Sequence, residues 1–279
     1  MIQTPSTVNS GETPRNVQAA KRFVDGCLAV GKVGFAMSEL QQVTGLSHIA
    51  ARAQLKRLHP QVVRVSPRQD FFLIVNPTQF AIGAPPAAWW LDAYFQNLKR
   101  PYYLALLSAA EIYGSSHQAV QIVQVITDRP MRALEIGRIR VHFYVKARVA
   151  ETPVLQASGA HAPLKTSTPE ATALDLLRYA HTIGGVSRAA QAIEGMASHF
   201  TKSSLRQALK AETELSTIQR LGFILEKLKH PAFSKLVEAR LPGKLNTTAL
   251  EQRRPSNLAG ALPLARKWAI SVNSDIELS

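Results

Sequence analysis

The sequence predicts an α+β chain: an N-terminal winged helix-turn-helix, followed by a mixed α/β domain that closes in a C-terminal helical bundle. Three observations predict it. Two short helical patterns, 38–43 and 47–58, meet across the pair Thr44-Gly45, and a tight glycine turn between two helices is the helix-turn-helix pattern. Two strand-like runs, 62–65 and 71–75, follow at once around Ser66-Pro67-Arg68-Gln69, which makes a hairpin, or wing. Beyond residue 165, apolar positions recur at helical spacing through several segments broken by Gly and Pro.

The first helix is expected to start at Thr13-Pro14, a capping residue followed by a proline that costs nothing in the first turn, and to run to about residue 30. Val17, Ala20, Val24, Cys27 and Leu28 share one stripe, and Gly31 supplies the stop. Cys27 belongs to that buried stripe, because no neighbour would stabilise a thiolate. As the single cysteine it forms no internal disulfide and no CxxC pair, which points to a reducing compartment.

Ser38 and Ser47 are the expected caps of the next two helices. On the second, Ala51, Leu55 and Leu58 face inward, which leaves His48, Arg52 and Lys56 at four-residue spacing on the solvated side. A major-groove reader needs such a stripe: arginine bonds guanine bidentately, lysine and the helix N-terminus suit phosphates, and His48 stands at the leading end. The same stripe is also what any solvated helix face looks like; the wing that follows, with Arg64 and Arg68, favours nucleic acid. The winged domain is bounded at 13–76, and three prolines and a glycine mark 77–88 as a linker.

The second domain, 89–279, is expected to open with a short amphipathic helix at 89–100 and a buried one at 102–113. Strands at 120–127 and 139–147 form a small sheet. In 167–179, Thr168 caps, Pro169 takes the first helical position, and Glu170 and Asp175 suit the helix start. Gly184-Gly185 breaks this helix; four more follow at 187–196, 203–210 (capped by Thr201), 214–229 and 232–240, and a last strand lies at 267–273.

Thirty-three Lys and Arg against nineteen Asp and Glu give a net charge of +14, so polyanions are the favoured partners. A polar N-terminus and the lack of an apolar run of about 18 to 20 residues predict a cytoplasmic chain without membrane contact. HExxH, GxSxG, Walker and GxGxxG patterns do not occur, and the eight histidines have no ligand spacing. The remaining enzyme reading is a Mg²⁺ nuclease built on Glu111, Asp128 and Glu135; helix, turn and loop placement explain all three more simply. His117 after Ser115-Ser116 has no orienting acid. The expectation is a non-enzyme with neither metal nor cofactor.

The order of winged helix, then YYLALLSAAEIYGSSHQ (102–118), STPEATALDLLRY (167–179) and QRLGFILEKL (219–228), resembles the AbiE-type antitoxin family, regulators of abortive-infection phage-defence systems, over roughly residues 14–240. The resemblance implies an autoregulatory transcriptional repressor that binds inverted repeats in double-stranded operator DNA. It also implies a C-terminal antitoxin domain that neutralises a cognate nucleotidyltransferase-like toxin. Carried over by position, DNA binding falls on Ser47, His48, Arg52, Lys56, Arg64 and Arg68. Leu174, Leu177, Leu221 and Phe223 of the later motifs read as core. Two alternatives stay open: a stand-alone winged-helix repressor whose C-terminal domain senses a ligand, and the metal-dependent nuclease.

Overall fold

A three-stranded antiparallel sheet backs three helices in the N-terminal part of the computed structural model, which describes residues 18–115, 122–157, 162–252 and 262–277. The order is α1 (Ala19–Ala29), β1 (Gly34–Ala36), α2 (Met37–Thr44), α3 (His48–Arg57), β2 (Val62–Ser66) and β3 (Gln69–Ile74). The expected start of α1 at Thr13-Pro14 lies outside the described residues, as do Val17 and His117. Gly31, at φ 73°, ends α1: its N–H reaches the Leu28 carbonyl (3.0 Å) while the Lys32 N–H reaches that of Cys27 (2.9 Å). Gly45, at φ 70°, makes the turn between α2 and α3.

Ala20, Val24, Leu40, Ala51, Leu55 and Ile74 are buried together in this core, with Cys27 among them. Burial pushes the Cys27 thiol up, so the cysteine is a packing residue as expected. One local expectation is corrected and one element is added. Ser38 does not cap α2, because β1 runs straight into the helix and Ala36 takes the cap position without a side-chain bond. β1 itself is absent from the sequence reading: three residues are too short for a period, and only the pairing of Phe35 with Phe72 on β3, with rings 5.7 Å apart, makes them a strand.

The second part holds a six-stranded mixed sheet, order β6-β7-β5-β4-β9-β8. Its strands are β4 (Tyr102–Leu104), β5 (Val123–Thr127), β6 (Leu134–Ile136), β7 (Ile139–Val145), β8 (Val154–Gln156) and β9 (Lys165–Ser167). The helices are α4 (Leu91–Leu98), α5 (Leu106–Ile112), α6 (Pro169–Arg178), α7 (Ala180–Ile183), α8 (Val186–Met196), α9 (Lys202–Ala211), α10 (Leu215–Lys227) and α11 (Pro231–Glu238). The stretch expected as one buried helix at 102–113 divides: Tyr102–Leu104 pairs with β5 and β9, and only Leu106–Ile112 is helical. Tyr102–Ala110 is buried and almost wholly apolar, and such a run does not reveal its period.

Thr168 and Thr201 cap α6 and α9 as the sequence predicts, each hydroxyl accepting an N–H three residues on. α6 is the hub of the bundle, packed on α5, α8, α9 and α10, and every residue from Pro169 to Leu177 is buried. Its enclosed polar side chains, Glu170, Thr172 and Asp175, are each hydrogen-bonded. A small sheet follows, order β10-β12-β11, from β10 (Thr248–Ala249), β11 (Leu264–Ala265) and β12 (Ile270–Ser271). The strand expected at 267–273 is therefore shorter; Arg266–Trp268 is a helical turn that places the indole against α10.

By its internal contacts the chain divides into two units, one reaching to Pro86 with Ile136–Arg138, the other Ala87–Glu135 with Ile139–Ser279. Among the described residues no helix is long and apolar enough to cross a membrane.

Candidate nucleic-acid interface

α3 begins at Ser47, whose hydroxyl accepts the Ala50 N–H (3.3 Å) and is thereby committed to the cap. Its inward face carries Ala51 and Leu55. At about 100° per residue the exposed arc centres on Ile49 and Lys56, with Arg52 and Ala53 on its flanks and His48 at its edge. All five are exposed, Ile49 at 83%. Nothing among the described residues forms an ion pair or hydrogen bond with the side chains of Arg52, Lys56 or Arg68.

The hairpin of β2 and β3 closes the other side of an open groove of about 1100 Å³. His48, Ile49, Arg52 and Lys56 line it from α3, and Val63 and Arg64 from β2. Four of the expected DNA-binding residues thus share one concavity; Ser47 lies at its leading end as a cap, and Arg68 is exposed in the hairpin turn.

Asp70 organises this surface and was not singled out in the sequence. Its Oδ1 accepts from Arg64 Nη2 at 2.6 Å, and its Oδ2 stands 3.1 Å from His48 Nε2. Arg64 Nε also donates to the Gln69 carbonyl (3.0 Å). The hydrogen bond from His48, with Arg64 behind it, holds the Asp70 carboxyl below its usual value in spite of some burial. A carboxylate on the strand beside a predicted wing arginine was the available signal, but nothing local says that His48, 22 residues away, meets it.

The carboxylates weighed for catalysis do not converge. Glu111 is exposed on α5, Glu135 is exposed on β6, and Asp128 is gripped by Arg100 at 2.6 Å. Among the described residues no group of three or more His, Cys, Asp or Glu is arranged to hold a metal ion. Glu170 serves structure, accepting from the Thr201 N–H (2.6 Å) and the Ser204 hydroxyl (2.7 Å) to fasten the start of α9.

Asp175 corrects the expectation that it merely suits a helix start. It is fully buried, paired with Lys146 at 2.8 Å and bonded by the Tyr103 hydroxyl at 2.9 Å. Glu212, also enclosed, takes Lys146 from the other side at 3.6 Å and accepts from Arg178, which reaches Glu214 at 2.9 Å. Burial pushes the Asp175 carboxyl up, more than Lys146 and Tyr103 draw it back. For Glu212 burial is outweighed by Lys146, the Glu214 N–H and Arg178, and the carboxyl lies low.

One unit thus offers a groove lined by His48, Arg52, Lys56 and Arg64, and the other spends its interior charges on each other. Residues 103–227, β4 through α10, match the family model described as the AbiEi antitoxin C-terminal domain. That stretch carries most of the motifs that resemble the AbiE-type antitoxin family, a regulatory family, and the match supports that resemblance. The crystal structure of the RV2827C protein from Mycobacterium tuberculosis superposes with a TM-score of 0.63 at 16% identity, covering 91% of this chain and 90% of that one; the likeness is one of fold. The solution structure of the antibiotic-resistance factor ANT(2'')-Ia, also 16% identical, covers 53% of this chain and 90% of its own at a TM-score of 0.27, and carries no argument. No curated protein matches the chain significantly.

Proposed function

We propose that this chain is a cytoplasmic antitoxin and autoregulatory repressor. Residues 13–76 act as a winged helix-turn-helix, 77–88 as a linker and 89–279 as the antitoxin domain. α3 enters the major groove of an operator built of inverted repeats, with Arg52 reading a base and Lys56 neutralising phosphate. Ser47 and His48 lie at the leading end of the helix, and Arg64 and Arg68 bring the wing to the backbone. The antitoxin domain restrains a cognate nucleotidyltransferase-like toxin encoded beside it.

The observation that carries this reading is the union in one chain of the AbiEi antitoxin match over 103–227 and the cationic α3 groove. The test co-expresses the adjacent open reading frame with the full chain, or with the full chain carrying Arg52→Ala and Lys56→Ala. Growth arrest by the neighbour, rescue by both forms, and loss of promoter repression only in the double variant are the expected results. A harmless neighbour overturns the antitoxin role; repression untouched by the double variant overturns the DNA surface.

A further inference from the structure

Ile49 is 83% exposed at the centre of the solvated arc of α3. A solitary exposed apolar side chain is ordinary on a protein surface. This one, however, projects where a reader helix meets base edges, with Arg52 one turn on, Lys56 within about 20° of the same direction, and exposed Ala53 at the next turn on its own side. The cationic neighbours disfavour a second copy of the same surface and favour a polyanion. Within a major groove the apolar group on offer is the C5-methyl of thymine.

We propose that Ile49, backed by Ala53, reads thymine methyl groups in each operator half-site, within one or two base pairs of the base that Arg52 contacts. This deepens the operator-binding reading above and rests on it. Three residues of helix advance about 4.5 Å, close to one base-pair rise of about 3.4 Å, which sets the spacing. A β-branched side chain on a helix has one strongly preferred rotamer, so Ile49 is ordered before DNA arrives. Because its side chain stands outside the core, replacing it leaves the packing of Ala51 and Leu55 intact.

The experiment measures binding of the full-length protein to its own promoter by fluorescence anisotropy, replacing thymines one at a time with deoxyuridine, which removes only the methyl. The expected result is a loss of about fourfold at one thymine per half-site, the worth of one buried methyl group. Ile49→Ala is expected to lose a similar factor on the thymine operator and to be indifferent to the uracil swap, whereas Ile49→Val keeps most of the binding. Uracil at every position without effect, or Ile49→Ala binding like the unchanged protein, overturns the inference while operator binding stands. Loss of toxin association or of self-association in Ile49→Ala, with DNA binding intact, likewise overturns it and assigns the face to a protein. Failure of the unchanged protein to bind its promoter overturns both readings together.

Discussion

Nε2 of His48, the first residue of α3, stands 3.1 Å from Oδ2 of Asp70 on β3. The same carboxylate accepts from Arg64 on β2, so a single negative charge ties the helix to the hairpin and partly neutralises two side chains expected at DNA. Asp70→Asn is expected to tighten binding to operator and random DNA alike. The logarithmic salt slope should steepen by about one unit as a further cation becomes free for phosphate. Weaker binding in titrations at several salt concentrations would show instead that the clasp positions His48 and Arg64 for contact.

Arg52→Ala is expected to weaken specific operator binding by about 1 to 3 kcal/mol with little change on random DNA. Arg68→Ala, at the exposed hairpin turn, should weaken both evenly. Parallel titrations on the two DNAs decide, and equal losses for Arg52→Ala would remove it from base readout.

The Asp70 carboxyl is held low by the His48 hydrogen bond first and Arg64 behind it. A carboxyl lowered by folding contributes its stabilisation fully above its unfolded value and loses it as pH falls through the lowered one. The helix–hairpin clasp should therefore persist through neutral pH and open only in acid. His48→Ala is expected to move the carboxyl back toward the ordinary range, read as the side-chain carboxyl ¹³C titration; an unmoved midpoint contradicts the bond.

Gly222→Ala should destabilise the second unit, because an added Cβ would overlap the Trp268 ring. Overpacking of this kind costs about 1 to 3 kcal/mol, readable as a lowered melting temperature. Trp268 is also fixed by its indole N–H to Glu226 (3.1 Å) and by Gln219 Nε2 to its carbonyl (2.8 Å), beside the bonds that Arg220 of α10 gives to Thr248, Ala249 and Leu250. An unchanged melting temperature would mean that the indole shifts freely.

Lys146→Ala leaves Asp175 and Glu212 buried without their shared cation, a loss on the order of 3 to 5 kcal/mol. Folding raises the Asp175 carboxyl above its unfolded value, so its charged form costs stability as pH rises through the carboxylate range. The variant is expected to be least stable near neutrality relative to the parent and to recover ground as pH falls. Denaturant melts at pH 4 and pH 7 read the difference; a pH-independent gap would contradict the role of the buried charge.

By itself the sequence determined the features written in neighbouring residues. Ser47, Thr168 and Thr201 announce helix starts, Gly31, Gly45 and Gly184-Gly185 announce stops and turns, and the amphipathic periods placed most helices within a few residues. Its motifs also pointed to the family that matches over 103–227. Tertiary structure decided what depends on partners far along the chain. Tyr102–Leu104 is a strand because β5 and β9 flank it, and β1 exists because β3 pairs with it. His48 meets Asp70 across 22 residues, Lys146 meets Asp175 across 29, and Gly222 accommodates a ring from Trp268. Caps and periods act through bonds of three or four residues' reach, whereas strand pairing, buried charge and close packing have energies that exist only once distant segments are brought together.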